Sequence, residues 1–360
     1  MKKIIDEYPK QMRALVLHAV ADLRLETVPV PELTAGCVLL QVQACGICSS
    51  DRERVFVTGT YHFPTIPGHE FAGRIVAVAD DVDEALLGRR ASVFPMLPCR
   101  TCDACKAKQY AQCSNYNYFG SRCDGGFAEY LVVPVWNLVP FDDALPYETA
   151  ALCEPSAVSL HAVTIGAVKK GETVAVVGTG TIGFLVAAFA KNLTDRVVIC
   201  GRSENKLVYA RKLGFETVDL TSERCGEELK ALSGGDGFDV VFEAVGSSVT
   251  IEQAVDMAGT FGRIVLLGNP KGDLTMDKNV YWSVLRKQKT LLGSWNSSFN
   301  SDTNDWAVVV EWMKNSSFDF EQLITHRFSM DDYEKAFALI RKEKDKEFLL
   351  KVMLEIGNGS

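Results

Sequence analysis

The densest chemistry in the sequence is a C-x2-C-x2-C-x7-C array, Cys99, Cys102, Cys105 and Cys113, in a segment with Pro98 and few large hydrophobes. Four thiolates close a tetrahedral shell around zinc and leave no position for a substrate, so such a site pins a loop. The rival reading is an iron–sulfur cluster, whose bacterial spacing also opens C-x2-C-x2-C but continues with a shorter step and a proline. Here Ser114 follows the fourth cysteine. Upstream, Cys48 lies in Gly46-Ile47-Cys48-Ser49-Ser50-Asp51, and a histidine–glutamate pair in Pro67-Gly68-His69-Glu70-Phe71-Ala72-Gly73. Thiolate, imidazole and carboxylate are three ligands, the number a catalytic zinc takes when one position stays free for water or substrate. Glu154, in Cys153-Glu154-Pro155, is a fourth candidate. One thiolate and one carboxylate balance the metal's charge and leave it a stronger Lewis acid than a sulfur-rich shell would. Singly, these residues read equally well as a buried thiol and a turn pair. Their company points to metal.

A second kind of chemistry is written in Gly178-Thr179-Gly180-Thr181-Ile182-Gly183, which follows an apolar strand-like run and opens a helix-like one. In that context Gly178 makes the tight turn, Gly180 lets the backbone approach a pyrophosphate and Gly183 lets helix and strand pack. The helix N-terminus then faces the phosphates. An acidic residue at the end of the next strand would accept hydrogen bonds from the adenosine ribose and repel a 2′-phosphate. The chain reads Val198-Ile199-Cys200-Gly201-Arg202-Ser203 instead. Gly201 leaves room, Arg202 offers a forked cation and Ser203 a hydroxyl, a cradle for a 2′-phosphate with Lys206 counted beside it. NADP is therefore favoured over NAD, the alternative being that Arg202 is a solvated loop residue and NAD binds through other contacts.

These groups need elements to position them. The first third reads as short β segments, 14–18, 37–44, 71–78 and 91–94, punctuated by Gly and Pro, a compact and mostly antiparallel unit. From about residue 172 strands and helices alternate, at 173–177, 181–192, 196–200, 204–213, 239–242, 249–258 and 263–267. That rhythm predicts an α/β domain with a doubly wound parallel sheet. In the helix after Ser203, Leu207, Ala210 and Leu213 share a face, and Gly214 stands where a left-handed C-terminal residue belongs. Beyond Ser297 come a polar stretch, helices at 306–314 and 333–342, and a last β run at 348–354, too short for a core of its own and expected to return to the first domain. Residues 357–360 read as a loose tail.

With 360 residues, 47% hydrophobic and 23% charged, the chain is long enough for about two domains with real cores. Forty-six acidic against 38 basic residues give a formal charge of −8, which disfavours nucleic acid and anionic membranes as partners. No run at the N-terminus suits a secretory signal and none elsewhere a membrane helix, so the expected location is cytoplasmic. Eleven cysteines then speak for metal or redox chemistry rather than disulfides.

In this combination and order the motifs resemble the zinc-dependent medium-chain dehydrogenase/reductase family over nearly the whole chain. Gly125-Gly126-Phe127-Ala128-Glu129-Tyr130 adds to them, while Glu70, Glu154-Pro155 and Gly293-Ser294-Trp295 look more like its polyol dehydrogenase branch. The resemblance implies a GroES-like, mostly β catalytic domain of residues 1–158 plus 298–360 around a Rossmann cofactor domain of 159–297. It implies two zinc ions per chain, one structural on the four cysteines. The other, catalytic, would be held by Cys48, His69 and Glu70, with Glu154 as fourth ligand or as that ligand's neighbour. Such a metal makes a substrate hydroxyl more acidic, after which hydride leaves carbon for the nicotinamide. Ser50, two residues after Cys48, is placed to pass the hydroxyl proton onward. The implied substrate is a polyol or a polyol phosphate, with Arg54 and Arg122 as candidates to grip a phosphate. An unphosphorylated polyol or a vicinal diol is the alternative, and the implied assembly is a homodimer or homotetramer. A zinc-free reductase of similar fold would leave both ligand clusters unexplained. A binding-only protein would not need Cys48, Ser50, His69, Glu70 and Glu154 together.

Overall fold

The computed structural model describes residues 3–4, 8–341 and 348–357, so Lys342 at the end of one expected helix, and residues 358–360 of the expected tail, lie outside the described residues. The chain divides into two compact units, Met1–Glu154 with Ser298–Ser360, and Pro155–Ser297. The expected boundary at 158 falls four residues later, inside the helix Cys153–Gly166.

In the first unit an eight-stranded sheet runs Leu138–Phe141, Arg90–Val93, Glu70–Val78, Cys37–Ile47, Lys351–Glu355 and Ile324–Ser329, with Lys3–Ile4 on the third strand and Tyr130–Pro134 on the fourth. Cys37–Ile47 pairs with three neighbours and is buried almost without interruption, which is why it reads CVLLQVQACGI rather than as a clean alternation. Around it Phe71, Phe127, Leu39 and Leu40 are sealed from solvent. Truncating either phenylalanine to Ala would cost about 3–5 kcal/mol. The last strand does return, antiparallel to Cys37–Ile47 with Leu354 opposite Cys45 and Val352 opposite Ile47. Its other neighbour, Ile324–Ser329, runs parallel to it, an exception to the antiparallel rule expected here. An aromatic cluster fastens the returning chain: Phe94 stacks on Phe299 at 4.6 Å and meets Trp306 edge-on at 5.7 Å, while Trp136 meets Phe299 at 4.9 Å.

The second unit is a six-stranded, wholly parallel sheet in the order Glu216–Asp219, Val197–Gly201, Val174–Val177, Phe238–Glu243, Ala258–Leu266, Thr290–Gly293. Chain order reverses at Val174–Val177, the doubly wound arrangement expected. All four residues of that strand are buried, and so is the run from Gly183 to Ala190 in the helix that follows. Leu207 and Ala210 are buried as their spacing predicts, and Gly214 has φ +83. Among the strands that periodicity missed, Glu216–Asp219, Thr290–Gly293 and Ile324–Ser329 are short or polar. Their pairing comes from neighbouring strands rather than from their own composition. Among the described residues no helix is long and apolar enough to cross a membrane.

Candidate active site

Two groups of side chains converge with atoms that could hold a metal ion. In Cys99, Cys102, Cys105 and Cys113 all four sulfurs lie within 4.8 Å of one another. Cys99 Sγ stands 4.0 Å from Cys105 Sγ, and Cys102 Sγ 3.8 Å from Cys113 Sγ. A tetrahedron with zinc–sulfur bonds of about 2.3 Å has edges of about 3.8 Å, so the spacing suits that ion. None of the four is in a disulfide. The local fold already favours thiolates: hydrogen bonds from Thr101 and the Cys102 amide bring Cys99 down to about 5, although burial pushes Cys105 up to about 12.

The second group is Cys48, His69 and Glu70, with donor atoms again within 4.8 Å of one another. Cys48 directly follows the central strand and caps the short helix Ser49–Glu53, its amide donating to Asp51 Oδ2 at 3.0 Å. His69 immediately precedes the neighbouring strand and Glu70 opens it, with Gly46 opposite Glu70. Three donors on adjacent strand ends suit a metal chosen by mixed sulfur, nitrogen and oxygen ligands.

Charged groups that the sequence did not assign surround these donors. Asp51 is fully buried, with Oδ1 3.2 Å from His69 Nδ1, which leaves Nε2 as the imidazole's free ligand atom. Burial opposes the Asp51 carboxylate, but His69, Arg54 and the Cys48 amide outweigh it and hold its pKa below the ordinary value. Lys351 Nζ lies 2.7 Å and 2.5 Å from the two Glu70 oxygens. Glu154 is not within the donor group. Its Oε1 accepts from the Tyr118 hydroxyl at 3.2 Å. Burial, with a contribution from Glu70, raises Glu154 to about 7, against the pull of His69 and Lys351. The Tyr118 ring lies 5.7 Å from the His69 ring, and burial lifts its hydroxyl well above the usual range. Asp51 stood in a motif that signalled it, three residues after Cys48. Tyr118 and Lys351 carried no local signal, because each arrives from a distant stretch of chain.

The other expected residues are partly engaged. Ser50 Oγ accepts from Arg54 Nη1 at 3.0 Å, and the same nitrogen lies 3.2 Å from Asp51 Oδ1. Arg54 Nη1 is thereby engaged by protein oxygens. The Arg122 guanidinium lies 4.0 Å over Tyr61 and 4.4 Å over Tyr116, its Nε buried without a hydrogen-bond partner, and no carboxylate pairs with it among the described residues.

In the second unit Gly178 has φ +126, Gly180 faces open space, and a Cβ on Gly183 would stand 2.0 Å from the Gly178 carbonyl. That backbone is compatible with the three roles expected of the glycines, and Thr181, Ile182 and Gly183 open the helix Thr181–Lys191. Gly201 ends its strand, and a Cβ there would meet Thr179 Cγ2 at 2.4 Å. Arg202 is exposed and unpaired among the described residues, Ser203 caps the helix Glu204–Lys212, and Lys206 lies in its first turn.

Comparison with known proteins agrees with this geometry. Residues 34–143 match the alcohol dehydrogenase GroES-like domain and residues 178–315 the zinc-binding dehydrogenase family. Galactitol 1-phosphate 5-dehydrogenase of Escherichia coli is 32% identical over 333 residues, covering 90% of this chain and 95% of that protein. The crystal structure of galactitol-1-phosphate dehydrogenase from Escherichia coli superposes with a TM-score of 0.89 at 31% identity, over 96% of this chain and 100% of the other. A zinc-binding dehydrogenase from Sinorhizobium meliloti, bound to NADP, superposes at 0.87 with 28% identity over 96% and 100% of the two chains. The chain belongs to the zinc-binding dehydrogenases of the medium-chain dehydrogenase/reductase family, and it is an oxidoreductase of the alcohol and polyol dehydrogenase kind.

Proposed function

We propose that the protein oxidises a secondary hydroxyl of a sugar-alcohol phosphate, of the kind named for its galactitol 1-phosphate relative, to the ketose, with NADP as the preferred hydride acceptor. The observation that carries the chemistry is the convergence of Cys48, His69 and Glu70 in a chain that also holds the Gly178 to Gly183 loop. We assign two zinc ions per chain, a catalytic one to those three donors and a structural one to Cys99, Cys102, Cys105 and Cys113. When bound at the first site, zinc acts as a Lewis acid that makes a substrate hydroxyl more acidic.

The chain's own groups do the rest. Asp51 faces the imidazole's Nδ1 at ion-pair distance, and Glu154, held by Tyr118, supplies a carboxylate whose raised pKa suits proton exchange near neutrality. Ser50 is assigned the relay of the hydroxyl proton. Arg54 already fills one acceptor position of its oxygen and leaves its own O–H free to donate. Arg122 is the better candidate for substrate phosphate, since its two ring faces are stacked while its buried Nε lacks an acceptor. The NADP preference rests on the absence of an acid at Gly201, the close approach of Thr179 that disfavours one, and the unpaired Arg202. An unphosphorylated polyol is the second reading, and it is favoured by Arg54 being occupied with Ser50 and Asp51.

We further assign a homo-oligomer built on the second unit's edge strand Thr290–Gly293. One side of that strand is unpaired among the described residues, and Leu291 is exposed, as are Tyr281, Trp282 and Leu285 on the helix that precedes it. Sedimentation of the protein and of Leu291→Asp checks this, a monomeric wild type being the contrary result.

Initial rates of cofactor reduction by the zinc-loaded protein test the activity, with galactitol 1-phosphate, galactitol, sorbitol and a vicinal diol, each with NAD and with NADP. The expected result is preference for the phosphate ester with NADP, and an Arg122→Gln variant impaired on the ester alone. Turnover of neutral polyols only would move the substrate to the unphosphorylated class.

A further inference from the structure

Glu243 gathers four main-chain amides onto one side-chain oxygen and one carbonyl. Its Oε1 accepts from the Val245 amide at 2.9 Å and the Gly246 amide at 2.8 Å, and its own carbonyl accepts from the amides of Leu267 at 3.0 Å and Gly268 at 2.9 Å. The residue is 1% exposed and ends the strand Phe238–Glu243, paired with Val177 on one side and Leu266 on the other. It therefore ties the turn 244–247 to the turn 267–269 at the carboxyl edge of the parallel sheet. The two turns meet tightly. Gly246 has φ +83, a Cβ there would stand 2.6 Å from the Asn269 carbonyl, and one on Gly268 would stand 2.1 Å from the Gly246 nitrogen. The first turn also closes on the glycine loop, since a Cβ on Gly178 would lie 3.1 Å from Val245 Cγ2. Glu243 Oε2 is buried with no hydrogen-bond partner among the described residues, so a single oxygen makes the side-chain brace.

In a doubly wound sheet a dinucleotide lies outside the carboxyl ends of the strands and crosses the point where strand order reverses. Here the reversal is at Val174–Val177, with Val197–Gly201 on one side and Phe238–Glu243 on the other. The NADP reading given above assigns the adenosine half to the Gly201 end and the pyrophosphate to the start of the helix Thr181–Lys191, which leaves the Glu243 side for the nicotinamide half. A main-chain turn receives a ligand well only when its own amides and carbonyls are already fixed, and a buried acceptor behind the turn fixes them. We propose that Glu243 is a positioning residue of the cofactor unit, which sets the turns 244–247 and 267–269 for the nicotinamide half and has no part in holding the adenosine half. This rests on the nicotinamide-cofactor reading given above.

The test is binding by the full chain, followed by quenching of its intrinsic fluorescence, of NADP and of adenosine 2′,5′-bisphosphate, which carries the adenosine half alone. Glu243→Ala is expected to weaken NADP about tenfold and to leave the bisphosphate within about threefold of wild type. Glu243→Gln, which keeps one oxygen for the two amides, is expected to stay within about threefold of wild type on both ligands. Equal weakening of both ligands by Glu243→Ala would show general damage to the unit and overturn the proposal, as would unchanged binding of both. A Glu243→Gln variant as impaired as Glu243→Ala would show that charge rather than the brace matters, and would overturn it too. If Glu243→Ala does not fold, deuterium exchange of the wild type takes its place. Uptake in 244–247 and 267–269 is then expected to fall with NADP and not with the bisphosphate, and equal uptake in the two complexes would overturn the proposal. A wild type that binds neither NADP nor NAD marks a failure of the cofactor reading, separate from anything seen at position 243, and takes the proposal with it.

Discussion

The two donor clusters of the first unit differ in how their atoms are brought together and in what stands behind them. The four thiols lie close in sequence, surrounded by short turns and the small helix Asp103–Lys106, with their own backbone amides as hydrogen-bond donors. The Cys48 group draws on two adjacent strands and is ringed by buried charged side chains, Asp51, Glu154 and Lys351, with the half-buried Tyr118 beside them. A loop pinned by four sulfurs needs nothing further. On the function proposed above, a site that exchanges a ligand and moves a proton needs its spare charges placed and compensated, and the surrounding groups would supply that compensation.

Breaking each cluster should therefore damage different properties. Cys48→Ser is expected to lower kcat by about a thousandfold or more while leaving cofactor binding, followed by fluorescence quenching, unchanged. Retained turnover would erase the distinction between the clusters. Cys113→Ser should do the reverse, removing one of two metal equivalents and lowering the unfolding free energy by several kcal/mol, with residual activity in whatever fraction remains folded. Calorimetry with metal analysis checks it, and an unchanged Tm would show that the lobe carries no metal. A smaller effect separates the cofactor unit from both. Arg202→Ala should raise KM for NADP about tenfold to a hundredfold and leave NAD nearly untouched, as expected for loss of a charge-assisted contact of about 1.5–3 kcal/mol. Equal losses with the two cofactors would place Arg202 outside the phosphate cradle. The smallest change is expected from Tyr118→Phe. It strips one hydrogen bond from buried Glu154 and should lower kcat by several-fold, about 1 kcal/mol, with a shifted pH–rate profile. An unaltered profile would mean that Tyr118 only packs against His69.

Much of the fold was legible because its signals are periodic. The buried run Val174–Val177, the apolar helix Thr181–Lys191 and the left-handed Gly214 each follow from side-chain spacing and backbone sterics within a few residues. The four cysteines and the glycine loop were legible for the same reason, since every participant is local. Thr290–Gly293 and Ile324–Ser329 were not, because a strand of four residues, or one with polar side chains, is stabilised mainly by partners that the local pattern does not name. Arg54 illustrates the same limit in the site. Its spacing from Cys48 suggested a phosphate contact, and the packed structure adds hydrogen bonds from its Nη1 to Ser50 and Asp51 that the spacing did not name.

Residue types and short spacings alone determined which chemistries this chain can hold: a closed thiolate shell, a mixed donor set, a phosphate-binding turn and a strand end without an acid. Those are properties of neighbours in sequence, fixed by bond lengths and by the few conformations a short segment can take. Tertiary structure decided which charges face the donors. Lys351 reaches Glu70 across 281 positions of chain, and it does so because strand register sets it one strand beyond a glycine that cannot obstruct the carboxylate. Electrostatic energies depend on distance and burial rather than on sequence separation, so this part of the site came into view only when the strands were paired.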